Sequence, residues 1–112
     1  MNEIEKLYDN AGVNQVCNTC ELRGFKRLCP TKELCVQVNP PFTAEKQLKI
    51  IMNFDNFEMR FEKSEYLLFI SCPPTRYHSH HKKFEIALAK LINLIWQHLT
   101  EQEQQQIKEI LQ

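Results

Sequence analysis

Four of the five cysteines in the chain, Cys17, Cys20, Cys29 and Cys35, fall within nineteen residues in the spacing C-x2-C-x8-C-x5-C. A C-x2-C pair suits a tight turn that aims two thiolates at one ion. Two further cysteines then complete a tetrahedron of sulfurs, the arrangement preferred by a structural Zn2+. Unrelated thiols would not be expected at this density. The second pair is C-x5-C rather than C-x2-C, and Glu21 rather than glycine follows Cys20, so the spacing departs from common zinc ribbons and knuckles. An iron–sulfur cluster is the alternative cofactor, because Cys29 is followed by Pro30, a step found at some cluster sites. Sulfur ligands and a reducing compartment favour zinc.

A second set of chemistry-bearing residues comprises Cys72, Arg76, His78, His80 and His81. Alternating histidines can bind a metal in concert, which keeps a metal-dependent hydrolase open as an alternative. The bland reading is a polar loop with solvated histidines, and it is preferred. A phosphatase-type C-x5-R loop would need arginine at position 78, and Pro73-Pro74 removes backbone donors such a phosphate cradle requires. Cys72 reads instead as a buried thiol at a strand end. With only Gly12 and Gly24 there is no glycine-rich phosphate loop, and neither H-E-x-x-H nor G-x-S-x-G occurs. Catalysis is therefore not expected.

The formal net charge is zero, with an uneven distribution. Between Cys17 and Cys35, Arg23, Lys26, Arg27 and Lys32 face only Glu21 and Glu33. Four thiolates around a divalent zinc add negative charge that these side chains would neutralise, which weakens the reading of a basic finger. Residues 76–83 carry Arg76, Lys82 and Lys83 with no acid.

Apolar residues make up 43% and charged residues 25%, the balance of a globular fold rather than a disordered chain. The length fits one domain, with a metal-bound lobe over 13–41 and the remaining elements over 43–112. No signal-peptide pattern opens the sequence and no apolar run suits a membrane span, so a cytoplasmic protein with reduced thiols and no membrane partner is expected.

Which elements would position these groups? The period of Ile4, Leu7, Tyr8 and Ala11 predicts a helix over 2–11, stopped by Gly12. Val36 and Val38 suggest a short strand before Pro40-Pro41. Thr43 should cap a helix reaching about Asn53, with Leu48, Ile51 and Met52 inward. Phe57, Met59 and Phe61 alternate with charged residues as in a half-buried strand, Lys63-Ser64 should turn, and 66–70 suits a strand covered on both faces. This hairpin needs a third strand, from 36–38 or from another subunit, so a homodimer is one candidate assembly. Residues 82–99 should form the main core helix, and Thr100 with Glu103 makes a capping box for a last helix. The fold class expected is α+β: a small β-hairpin or three-stranded antiparallel sheet packed by helices, with a cysteine-rich metal-bound segment near the N-terminus.

Ile4-Glu5-Lys6-Leu7-Tyr8, Pro40 through Leu48 and the closing 99–111 stretch resemble segments of small phage and prophage proteins of low-GC Gram-positive bacteria. The resemblance covers about half the chain and implies a mobile-element setting, with no activity attached. Two function classes follow. The first is a zinc-binding module that inhibits or redirects a host or defence protein, with Arg23, Phe25, Lys26 and Arg27 as partner contacts, since arginine and aromatic side chains dominate binding energies. The second is a nucleic-acid-binding regulator in which the same residues, with Arg76, Lys82 and Lys83, contact phosphates and Phe25 stacks on a base.

The spacing leads to an expected metal content of about one zinc per chain, held by four cysteines. Elemental analysis of purified protein checks it. Iron with acid-labile sulfide would move the site to a cluster, and a folded, metal-free protein would remove both.

Overall fold

A computed structural model describes residues 3–17, 38–72 and 74–112. In chain order these form α1 (Glu3–Ala11), β1 (Val16–Cys17), β2 (Val38–Asn39), α2 (Ala44–Met52), β3 (Phe57–Glu62), β4 (Glu65–Cys72), β5 (Thr75–His81), α3 (Phe84–Ile95), a 3-10 turn (Trp96–His98) and α4 (Glu101–Leu111). The architecture is α+β. The strands β3-β4-β5 make an antiparallel meander packed by helices, and β1 pairs with β2 in a separate antiparallel ladder.

Local chemistry accounts for most boundaries. Helix α1 has Glu3 and Glu5 in its first turn, favourable to the helix dipole. It ends in a Schellman pattern, with Gly12 at φ +73 and the amides of Gly12 and Val13 donating to the carbonyls of Asp9 and Tyr8. The Thr43 hydroxyl accepts from the Lys46 amide to start α2. Lys63 and Ser64 both have positive φ, the signature of a type I′ turn, which matches the twist of β3 and β4. Thr100 and Glu103 form the reciprocal capping box of α4, with bonds of 3.1 and 3.0 Å.

The core gathers on α3. Ala87, Leu88, Ala89, Leu91, Ile92 and Ile95 are all fully buried. The sheet lies on one side of α3 through β4 and β5, and α1 packs elsewhere on it. Leu68 and Ile70 of β4, Leu7 and Tyr8 of α1, and Ile107 and Leu111 of α4 complete the same cluster. Two polar ties hold α3 in place. Ser79 of β5, itself buried, donates to the Ala87 carbonyl at 2.6 Å. The Asn93 amide donates to the Glu3 carbonyl at 2.9 Å, and Asn10 donates to Asn93.

Several expectations are corrected. The third strand is Thr75–His81, where a polar loop was expected, and Val38 pairs with Cys17 instead of joining that sheet. Alternation of buried Ser79 and half-buried Tyr77 with exposed Arg76, His78 and His80 makes the segment a strand, although its buried members are scarcely apolar. Strand β4 is covered on one face only. Leu68 and Ile70 are buried, whereas Leu67 and Phe69 are half-buried on the side without helices. In α2 Ile50 is buried and Ile51 packs half-buried against the core as expected, whereas Leu48 and Met52 are 58% and 74% exposed. Helix α2 rests mainly on α4. At 100° per residue, Leu48 and Met52 lie nearly opposite Ile50. The core helix is also shorter than 82–99, tightening into the 3-10 turn before the Leu99–Thr100 corner.

These placements separate two leucines. Leu88→Ala should cost about 2–5 kcal/mol by urea unfolding, because it opens a cavity under the sheet. Leu48→Ala should stay within about 0.5 kcal/mol, as for surface substitutions generally.

Candidate functional site

The strand register sorts the second residue set. In β5, Arg76, His78 and His80 share one face, because side chains alternate along a strand. Their cross-strand neighbours on β4 are Ser71, Phe69 and Leu67, and those in turn face Glu58 and Arg60 of β3 through Phe69 and Leu67. No described helix packs on this face. Cys72 and His81 project to the opposite, helix-covered side, so the five residues do not form one site.

Phe69 is the centre of the open face. The Arg76 guanidinium lies 4.6 Å from its ring centroid and that of Arg60 lies 5.6 Å away. The His78 ring is tilted beside it at 6.2 Å. Arg76 also pairs with Glu58 at 2.6 Å, and His80 Nδ1 lies 2.9 Å from a Glu65 carboxylate oxygen. These pairs are well exposed, so each is worth no more than about 1 kcal/mol. They set orientation more than stability: Glu58 holds Arg76 across the aromatic ring. Arg60 and Arg76 alternate on this face with Glu58, Glu62 and Glu65. The surface is thus mixed in charge around an aromatic and an aliphatic side chain.

On the helix side, His81 has a structural task, its Nδ1 accepting from the Lys83 amide at 3.0 Å just before α3. Tyr77 and His98 meet through a 3.0 Å contact between hydroxyl and Nε2. Burial pushes the Cys72 thiol up, and the Glu103 carboxylate adds to the effect. A raised pKa keeps this cysteine protonated at neutral pH, the opposite of an activated nucleophile. Among the described residues, no three His, Cys, Asp or Glu side chains gather as a metal-binding group.

A shallow groove of about 610 Å³ lies between α2 and α4. Its lining includes Lys46, whose Nζ donates to the Leu111 carbonyl, and Glu45 and Lys49, which pair at 3.2 Å. Those cations are occupied in tying α2 to α4 and in a surface pair. The groove is lined by no cysteine, serine or histidine, and its Thr43 hydroxyl is engaged as the α2 cap.

Of the sulfur site, only the backbone of Cys17 is described. Cys20, Cys29 and Cys35 lie outside the described residues, as do Arg23, Phe25, Lys26 and Arg27. The described part does fix both ends of that segment. Val16 pairs with Asn39 and Cys17 with Val38, and Gln15 donates to the Pro40 carbonyl at 2.8 Å beneath them. On the return, the Phe42 ring packs edge-on to Tyr8 of the core at 6.1 Å. No protein family, curated protein or solved structure matches the chain. No described helix is long and apolar enough to cross a membrane.

Phe69, Arg60 and Glu58 are members of the open face that the sequence reading did not single out. The signal was Arg76-x-His78-x-His80, whose alternation marks a strand and whose pairing brings in the other residues.

Cys72 carries a pH prediction. Its folded pKa is raised by burial and by Glu103, so the thiolate forms at higher pH than in the unfolded chain. Iodoacetamide labelling of the Cys72 peptide, followed by mass spectrometry, should rise at a higher pH in folded protein than in urea. Equal profiles in the two states would contradict the assignment.

Proposed function

We propose that the protein is a small zinc-binding module of phage or mobile-element origin that acts by binding a host or defence protein, without catalysis. One observation carries the reading: β1 and β2 hold Cys17 opposite Val38. The cysteine segment therefore departs from the helical body and returns to it at one place. Covalent reach sets the rest, since a chain spans at most about 3.6 Å per residue. Cys20 is three residues from Cys17, and Cys35 is three residues from Val38, so chain length permits their sulfurs to approach one another near the neck. Cys29 has ample chain on either side to join them. Pre-closing the segment lowers the entropy that a metal must overcome in gathering its ligands.

Such a lobe would present Arg23, Phe25, Lys26 and Arg27 on a metal-braced segment. Bracing lowers the ordering cost of meeting a partner. The open face of the sheet supports a protein partner over a polyanion. Its arginines are interleaved with Glu58, Glu62 and Glu65, and Arg76 is already paired with one of them. A surface built for phosphates would keep its cations unpaired and clustered.

Two substitutions and one titration test this. Phe25→Ala and Arg27→Glu should each abolish capture of a specific protein from bacterial host lysate while zinc content stays unchanged. Replacing His78, His80 and His81 together should matter less. Mobility shifts with generic DNA or RNA should be absent at moderate salt. Binding that weakens steeply with rising salt would transfer the function to nucleic acid.

A further inference from the structure

We propose that two copies of this chain pair through β3, antiparallel and with the two-fold axis at Met59, to give a continuous six-stranded sheet. The inference is independent of the metal and of the cysteine segment. Among the described residues β3 is an edge strand, bonded to β4 on one side only. Its helix-side residues Met59 and Phe61 are 53% and 61% exposed. The cause is geometric. Among the described elements, helix α3 covers β5 and β4, and β3 extends beyond it with two large exposed apolar side chains.

The backbone of that edge is correctly presented. Glu62 and Glu65 flank the two-residue type I′ turn, the position whose residues exchange hydrogen bonds across a hairpin. Alternation then turns the amides and carbonyls of Phe61, Met59 and Phe57 outward. A long edge with outward donors and exposed apolar side chains is a template for another strand.

The register selects a second copy as the occupant. With the axis on Met59, Met59 faces Met59 and Phe57 faces Phe61 on the helix side. On the open side Glu58 faces Arg60, twice. Apolar meets apolar and each acid meets a base, the self-complementarity that an isologous interface requires. Moving the axis to Arg60 sets Arg60 on itself and Glu58 on Glu62. Moving it to Glu58 sets that acid on itself. The opposite edge is less suited, because self-pairing of β5 about His78 brings Arg76 onto His80 and β5 itself carries no acid, Glu58 and Glu65 reaching these side chains from β3 and β4 of the same chain. In the β3 pairing, Glu58 bridges Arg76 of its own chain and Arg60 of the second copy, and two open faces merge into one.

Sedimentation equilibrium of the full chain tests this. Wild-type protein should reach twice the 13.4 kDa chain mass as concentration rises. E58K places lysine against arginine, and R60E places glutamate against glutamate. Each alone should raise the dimer dissociation constant by about tenfold or more. An equimolar mixture of the two should restore dimers, with one copy of each by native mass spectrometry, because Lys then meets Glu and Arg meets Glu across the axis. Met59→Asp, at an exposed position on the axis, should also give monomers with the circular dichroism of wild type. A wild-type monomer at every concentration would overturn the proposal. So would dimers indifferent to both charge variants and to M59D, or variants that stay monomeric when mixed.

Discussion

Helix α3 buries six side chains and cannot do so against one neighbour. At 100° per residue, Ala87, Leu88, Ala89, Leu91, Ile92 and Ile95 cover roughly 200° of its circumference, wider than the stripe of an ordinary surface helix. The sheet takes part of that arc and α1 another. Ala87 is small enough to let the helix approach β5, where Ser79 reaches the Ala87 carbonyl. A hydroxyl in that position is satisfied only because β5 and α3 are close and in register. Each buried contact of α3 thus fixes the placement of a different element.

Covering α3 also decides what the protein leaves open. A three-stranded sheet has two faces and two edges, and one helix protects one face across about two strands. The remaining face carries Phe69 with Arg60, Arg76 and His78 around it, and the remaining apolar side chains appear at the β3 edge. Both surfaces follow from a sheet that extends beyond the helix packed on it. Neither is a core defect. The opposite charges at Glu58 and Arg76 orient the arginine over an aromatic ring, which shields part of Phe69 without burying it.

Elements marked by local chemistry were legible from residues alone. Gly12 at a helix end, Thr43 as a cap, Lys63-Ser64 as a turn and the Thr100–Glu103 capping box each act within a few residues, and the structure has all of them. Strand β5 was harder to read because its buried members are a serine and a tyrosine, so its alternation is not an alternation of hydrophobicity. Leu48 and Met52 mislead for the reverse reason: their spacing has a helical period, but tertiary packing turned Ile50 inward. Arg76, His78 and His80 were found as a group, whereas their separation from Cys72 and His81 depends on strand register and is invisible in composition. The four cysteines remain a reading of spacing, because the pairing of β1 with β2 describes only the two ends of that segment.

That pairing is the described end of the proposed arrangement, a metal-folded lobe set on a body that holds itself together. Residues 13–41 have no periodic apolar face, and β1 and β2 are two residues each, too short to persist without help from the segment they close. The body has its own core in α1, β4, α3 and α4. Hydrogen exchange by mass spectrometry before and after chelation compares the two directly. The account predicts lost protection in 13–41, including Val16, Cys17, Val38 and Asn39, with α3 protected as before. Unchanged protection throughout, or uniform loss that includes α3, would contradict it.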